Sequence, residues 1–211
     1  VSFDEVTINY DLIVANAGED QTICASQTVL GASNPYPGNG VWGITGGSGS
    51  ADFETPTSAT TNVTGLDQGP NTLRWTVSHN GCVSYDEIII INNTPTTSYA
   101  GPDQNICKDS SVIEANNPFY GVGEWSVIGG SATIVDATSN ITKVTNLSNG
   151  SNTLQWKITK GLCSSIDVVV VKNNSTSISF AGEDQTICTD TAMMMANSPT
   201  YGVGEWSIVR G

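Results

Sequence analysis

The residues of this chain with chemical potential are five cysteines, a recurring set of carboxylates and one histidine. Cys24, Cys82, Cys107, Cys163 and Cys188 include no CxxC pair, and His79 is the only imidazole, so the close ligand set that zinc requires is not written here. Position predicts disulfides instead. Cys24 is expected to pair with Cys82 and Cys107 with Cys163, at intervals of roughly 58 and 56 residues. Cys188 then awaits a partner at about position 244, beyond this sequence. Disulfides imply an oxidising compartment. A loop of this size contributes about 4 kcal/mol in the chain-entropy view.

The carboxylates recur too. Glu19 and Asp20, Asp103, and Glu183 and Asp184 each precede an apolar run, and Asp86 and Asp167 precede another. Calcium takes about six to eight oxygens. A domain-junction site could draw on Glu19, Asp20 and a linker carbonyl, but Pro102 deletes one ligand in the second copy and no DxDxDG loop exists. The preferred reading names no metal and no cofactor, with Asp20, Asp103 and Asp184 capping their own turns. Gly121-Val122-Gly123 and Gly202-Val203-Gly204 are GxG runs without a following helix, so they read as strand-entry turns rather than phosphate loops. His79 occurs once, which leaves no Ser-His-Asp set in both copies. A carboxylate-pair glycosidase would need a cleft that small sandwiches seldom provide. The chain reads as a non-enzyme.

These residues are positioned by a repeat. Ala17-Gly18-Glu19-Asp20-Gln21-Thr22-Ile23-Cys24 returns as Ala100 to Cys107 and again as Ala181 to Cys188, at spacings of about 83 and 81 residues. Repeats this long are whole small domains in tandem. Residues 1–13 read as the last strand of a preceding repeat, 14–95 and 96–176 as complete repeats, and 177–211 as the N-terminal part of a third. Asn92 to Thr97 and Asn173 to Ser177 are short linkers. The partial third copy leads us to expect that the natural chain continues.

Composition fits an all-β secreted domain. Seven Lys+Arg against twenty Asp+Glu give a formal charge of -13, which repels nucleic acid. No apolar run reaches the ~20 residues of a membrane span. Within the first repeat, Cys24 to Leu30 is expected as a strand, Asn34 to Gly40 as a turn-rich loop, and Val41 to Ile44 as a strand with Trp42 and Ile44 on one face. Gly46 to Ser50 is a loop and Thr60 to Thr64 a short strand ended by Gly65. Asn71 to Ser78 alternates, with Leu73, Trp75 and Val77 pointing one way. Asn80-Gly81 is a hairpin signal, replaced by Lys160-Gly161 in the second repeat. Asp86 to Ile91 closes the domain. The corresponding run Val168 to Val171 is flanked by Asp167 and Lys172 as gatekeepers. Short strands with a Cys-Trp-Cys layout predict an immunoglobulin-like sandwich, with Trp42, Trp75, Trp125, Trp156 and Trp206 in the cores.

The combined pattern is more specific: AG-D-Q-IC, P-x-x-G-x-G-x-W, G-x-NTL-x-W, G-x-C and D-x-V/I-x-I. It resembles the PKD-like/immunoglobulin-like repeats of giant Bacteroidota surface adhesins, including gliding-motility adhesins exported by the type IX secretion system. The resemblance spans essentially the whole chain. It implies an extracellular, cell-surface filament of tandem sandwiches, each about 81–83 residues long. Its partners would be neighbouring repeats and a substratum or surface polysaccharide. The family supplies no catalytic residues. Val41, where the later copies carry Glu124 and Glu205, departs from the pattern.

Asp109-Ser110 and Asp190-Thr191 also resemble the Bacteroidota O-glycosylation motif, which makes Ser110 and Thr191 the expected glycan sites. Asn62-Val63-Thr64 and Asn140-Ile141-Thr142 match the N-glycosylation sequon by coincidence in an Asn/Thr-rich chain. The leading reading is a non-catalytic segment of an adhesin filament. The alternative is a carbohydrate-binding or accessory module of a secreted enzyme. A third reading is lateral self-association through edge strands.

Overall fold

The computed structural model describes residues 2–8, 12–47 and 49–210. Fourteen strands and no helix occur among them. The first repeat holds β1 (Gln21–Ile23), β2 (Thr28–Gly31), β3 (Asn39–Gly46), β4 (Asp52–Phe53), β5 (Thr60–Thr64), β6 (Gly69–His79) and β7 (Cys82–Asn92). The second holds β8 (Gln104–Ile106), β9 (Ser111–Glu114), β10 (Val122–Gly129), β11 (Thr133–Ile134), β12 (Ile141–Thr145), β13 (Gly150–Lys160) and β14 (Cys163–Asn173).

Strand β6 shows why the elements form. Asn71, Leu73, Trp75 and Val77 are buried while the residues between them are not, so one face of a period-two strand meets the core. Its neighbours give the sheet β1-β7-β6-β3, and a second sheet runs β2-β5-β4. Leu30 and Val63 from the smaller sheet pack with Trp42, Leu73, Trp75, Val77, Ile88 and Ile90 from the larger. The second repeat has the same plan, β8-β14-β13-β10 and β9-β12-β11. The fold is all-β, a tandem of immunoglobulin-like sandwiches. The hairpin turn after β6 carries two positive φ angles, 46° at Asn80 and 83° at Gly81, as its sequence requires. After β13 the positive φ falls on Gly161, which therefore matches Asn80 rather than Gly81.

Two expectations shift. The run Cys24 to Leu30 is not one strand. Residues 24–26 bend, so β1 pairs with β7 while β2 crosses to pair with β5. Strand β3 does place Trp42 opposite Trp75 and Ile44 opposite Leu73, but an irregularity between Ile44 and Gly46 lifts Ile44 to 36% exposure. Beyond it, Gly46 ends the strand and Ser48 lies outside the described residues.

Residues 2–8, expected as a closing strand, are exposed and in no strand, and residues 9–11 lie outside the described set. Residues 174–210 also form no strand. Trp206, expected in a core, is consequently 52% exposed, because no second sheet covers it among the described residues. No helix of the described residues is long and apolar enough to cross a membrane.

By contact, the chain divides into two compact units. One runs through residue 96 and takes in 118–122 and 158–165. The other comprises 97–117, 123–157 and the residues from 166 onward. The units thus cut across the sequence repeats.

Candidate functional site

The recurring Ala-Gly-x-Asp-Gln-x-Ile-Cys stretch is where the fold concentrates its polar contacts. Its glycine has no freedom to be anything else. Gly18 sits at φ +93°, and a Cβ there would stand 2.8 Å from the Gly31 carbonyl oxygen. Gly182 repeats this at φ +98°, 2.7 Å from the Met195 oxygen. Positive φ and a backbone wall both exclude a side chain.

Asp20 and Asp103 do not cap their own turns, as the sequence had suggested, but reach the closing strands. Asp20 Oδ1 accepts the Ile89 backbone N–H at 2.8 Å, and Asp103 Oδ1 accepts that of Val170 at 2.8 Å. In return, Asp86 Oδ2 accepts the Ala17 N–H and Asp167 Oδ2 the Ala100 N–H, each at 2.8 Å. Two carboxylates thereby clasp the start of each sandwich to its closing strand. The reason is geometric. Strand β1 is only three residues long and runs parallel to β7 from Gln21↔Ile90 to Ile23↔Asn92. Its ladder stops at Gln21, and the Asp20 carboxylate serves the next donor along β7, an amide that would otherwise lack a sheet partner.

The glutamine ties this strand to the other sheet. Gln21 Nε2 donates to the Val29 carbonyl at 3.3 Å and Gln104 Nε2 to that of Val112 at 2.9 Å. The third copy keeps the contact from Gln185 to Met193 at 2.9 Å, although neither residue is in a strand there.

We expect Asp20→Ala to cost about 1 kcal/mol, the usual net worth of one intramolecular hydrogen bond, since the carboxylate is exposed. Amide exchange at Ile89 should accelerate, with Asp103→Ala doing the same at Val170. Unchanged protection at both amides would refute the clasp.

Asparagines do related work that sequence reading missed. Asn71 is 1% exposed and donates to the Asp67 and Ile90 carbonyls at 2.9 and 3.3 Å. Asn152 does the same toward Ser148 and Val171, at 2.9 and 3.2 Å. At the strand ends, Asn92 donates to the Leu66 carbonyl at 3.0 Å and accepts the Thr94 N–H at 2.9 Å. Asn173 repeats this with Leu147 and Ser175 at 3.1 and 2.9 Å. The visible signal was the recurrence of Asn, one strand apart, in both copies.

The cysteine pairing is the largest correction. Cys24 is bonded to Cys163, across 139 residues, with the Cα atoms 5.5 Å apart. It is not bonded to Cys82, and Cys107 is not bonded to Cys163. Cys82, Cys107 and Cys188 are exposed free thiols. Strand order explains why. Cys24 follows Ile23, which pairs with Asn92 at the far end of β7, while Cys82 opens that same strand. Ten residues of strand put the two cysteines roughly 33 Å apart, far beyond disulfide reach. Cys107 and Cys163 stand in the same relation along β14. The disulfide lies within the first compact unit, which includes residues 158–165.

The tryptophans form pairs. Trp42 and Trp75 have centroids 5.2 Å apart, and Trp125 and Trp156 5.1 Å, both tilted by 45°. All four are at most 3% exposed. Trp42 and Trp75 are register partners on neighbouring strands of one sheet, and both face the core. Trp42 Nε1 donates to the Ser58 carbonyl at 3.2 Å and Trp125 Nε1 to that of Ser139 at 3.1 Å.

Among the described residues no group of three His, Cys, Asp or Glu side chains is placed to hold a metal. Glu19 is exposed, and Asp20 is engaged with Ile89. A shallow groove of about 450 Å³ crosses β2, β4 and β5, lined by Gln27, Val29, Asp52, Glu54 and Asn62 among others. Val135 and Lys143 stand where Glu54 and Asn62 would recur, so the groove is not a repeated feature. His79 sits at the hairpin tip in register with Cys82. Ser110 is half-buried in the loop after β8, and Thr191 is exposed.

No family model matches the chain, and no curated protein matches it. Among solved structures it is similar to extracellular domains 3–5 of Drosophila OTK, with TM-score 0.45 and 7% identity over 76% of this chain and 60% of that one. The PKD domain from the KIAA 1837 protein gives TM-score 0.37 and 22% identity over 45% of this chain and all of that domain. Titin domains I67–I69, in an E-to-A variant, give TM-score 0.38 and 12% identity over 79% of this chain and 65% of that one. The chain thus spans about three fifths of the OTK fragment's length. The neighbours are immunoglobulin-like and PKD domains, and the fold assignment itself rests on the strand order above.

Proposed function

We propose that this chain is a tension-resisting, non-catalytic segment of a secreted cell-surface adhesin, of the kind Bacteroidota export through type IX secretion and use for attachment or gliding. The observation that carries this reading is the periodic one. The same carboxylate clasp, buried asparagines and tryptophan pair recur in both complete repeats, and a disulfide joins the sequence of one repeat to that of the next. Each repeat closes its own ends with long-range hydrogen bonds instead of opening a cleft. Neighbouring repeats are its first partners, and a substratum or surface polysaccharide is the distal one. The disulfide supports an oxidising setting, which the extracellular space provides.

The test is a Fab fragment raised against this chain and applied to intact cells. The expected result is labelling of surface filaments and a severalfold loss of attachment or gliding. Labelling confined to permeabilised cells would overturn the reading. The accessory-module alternative is tested on a glycan array. It requires saturable binding that is lost on substitution of exposed aromatics such as Tyr36 and Phe119, since Trp42, Trp75, Trp125 and Trp156 are buried. Glycans at Ser110 and Thr191 belong to the same proposal. Native material should be heavier than its sequence by hexose-sized increments, and an unmodified intact mass would remove them.

A further inference from the structure

We infer that Cys107 and Cys82 are half-cystines of two further bonds of the Cys24–Cys163 kind. In each bond, the cysteine that ends one Ala-Gly-x-Asp-Gln-x-Ile-Cys stretch is joined to the hairpin-tip cysteine of the following repeat in the same polypeptide.

The surroundings of the observed bond define what such a junction needs. Cys163 is 2% exposed, with its Sγ 3.6 Å from the Ile23 carbonyl. Gly161, at φ +59°, lies so close to Asn93 that a Cβ would come within 2.9 Å of Nδ2. Asn93 N–H in turn donates to the Ile23 carbonyl at 2.8 Å. Thr96 completes the cradle. Its N–H donates to the Tyr120 carbonyl at 2.9 Å, and its Oγ1 accepts the Phe119 and Tyr120 N–H groups at 3.0 and 2.8 Å.

One repeat later the part of this arrangement that does not involve the hairpin tip recurs, next to Cys107 in sequence. Asn174 N–H donates to the Ile106 carbonyl at 2.7 Å. Ser177 N–H donates to the Tyr201 carbonyl at 3.1 Å, and Ser177 Oγ accepts the Tyr201 N–H at 2.7 Å. These contacts form although residues 174–210 are in no strand. Cys107 stands exposed beside them with a free thiol, in the place of Cys24. The hairpin tip that Cys163 supplies to Cys24 would come here from the repeat that follows. Cys82 is such a tip. It follows the Asn80-Gly81 turn as Cys163 follows Gly161-Leu162, and it is also exposed and free. It therefore bonds backward, as Cys163 does. The two cannot satisfy their own repeats, because each sits at the opposite end of an 11-residue strand from the other cysteine of that repeat.

The chemistry is thiol–disulfide exchange with an oxidant disulfide, carried by a protein or by a small molecule such as oxidised glutathione. The first cysteine thiolate attacks one oxidant sulfur, forming a mixed disulfide and releasing the other sulfur as a thiol. The second cysteine thiolate then displaces the oxidant from the mixed disulfide. Two protein thiols lose two protons and two electrons, and the oxidant disulfide becomes a dithiol.

The test is disulfide mapping of the native protein carrying this sequence, alkylated on isolation and digested without reduction. We expect the Cys24 peptide linked to the Cys163 peptide. The Cys107 peptide should be linked to a hairpin-tip peptide of the next repeat, and the Cys82 peptide to an Ile-Cys peptide of the previous one. Recovery of Cys82 and Cys107 as alkylated thiols beside an intact Cys24–Cys163 link would overturn this inference. So would a Cys82–Cys107 link, or disulfide-linked multimers in place of in-chain bonds. The inference rests on the oxidising setting of the adhesin reading, and the two fail differently. Alkylation of all the cysteines, Cys24 and Cys163 included, would count against that setting. Free Cys82 and Cys107 alone would leave it standing.

Discussion

Held at its two ends and stretched, the oxidised chain should fall short of the reduced chain by about 480 Å, recovered in one increment when reductant is added. The Cys24–Cys163 bond spans 139 residues, and an extended chain covers roughly 3.5 Å per residue. Pairing within repeats would hide two loops of roughly 58 and 56 residues instead, giving two separate increments of about 200 Å each. Single-molecule force spectroscopy distinguishes the outcomes by the number of reductant-sensitive steps as well as by their length. Two equal steps would sink the pairing reported above.

A bond across repeats changes what a pulled filament does. A loop closed inside each sandwich would leave the stretch from Cys82 to Cys107 free to extend, and its equivalent in every other repeat. When the bonds instead skip forward, successive loops overlap. Cys107 lies inside the Cys24–Cys163 loop, and the bond inferred for it would reach past that loop's end. The shortest covalent path then crosses a disulfide, follows the equally long stretch from Cys163 to Cys188, and crosses the next disulfide. Only one such stretch is available per two repeats. Reductant-free extension should therefore be half that of the within-repeat arrangement, and no sandwich can unravel completely under load. Under the adhesin reading proposed above, such overlap would add stiffness without any increase in the stability of a single sandwich.

Much of this was legible in the sequence. Leu73, Trp75 and Val77 alternate with polar residues, and period two alone places them on a buried face. Asn80-Gly81 names its turn because two successive residues must take positive φ. The cysteine pairing was not legible, since a regular tandem period makes Cys24–Cys82 and Cys24–Cys163 equally admissible. What separates them is the parallel register of Gln21 with Ile90, which places Cys24 at the end of β7 rather than at its start. That register is a tertiary fact. The aspartates were misread for the same reason. Asp20 bonds a residue 69 positions away, and local turn chemistry offers no sign of it. The break at residues 24–26 was hidden because Thr28 to Gly31 continues the β-branched character of Thr22-Ile23 while changing sheets.

The glycine before each tryptophan carries the second large effect. A Cβ on Gly40 would overlap Cζ2 and Cη2 of Trp75 and stand 2.8 Å from Cε2, and Gly123 meets Trp156 in the same way. Neither glycine is among those with positive φ, so the demand is steric rather than conformational. The ring has nowhere to go. Trp75 is fully buried, and Trp42 closes on it with centroids 5.2 Å apart. Its Nε1 has no hydrogen-bond partner among the described residues, so the indole is kept there for its volume rather than its polarity. We expect Gly40→Ala and Gly123→Ala each to cost about 3 kcal/mol, the upper end of ordinary overpacking. Chemical denaturation would register this as a lower midpoint. Gly43→Ala is the internal control. It lies three residues along the same strand, a Cβ there meets nothing within 4 Å, and the second repeat carries Ser126 at that position. That variant should stay within about 0.5 kcal/mol of the parent, as surface substitutions do. Equal destabilisation by Gly40→Ala and Gly43→Ala would mean that loss of glycine itself, not the tryptophan ring, sets the cost. The G-x-G-x-W pattern would then be a backbone signal instead of the imprint of a packed indole.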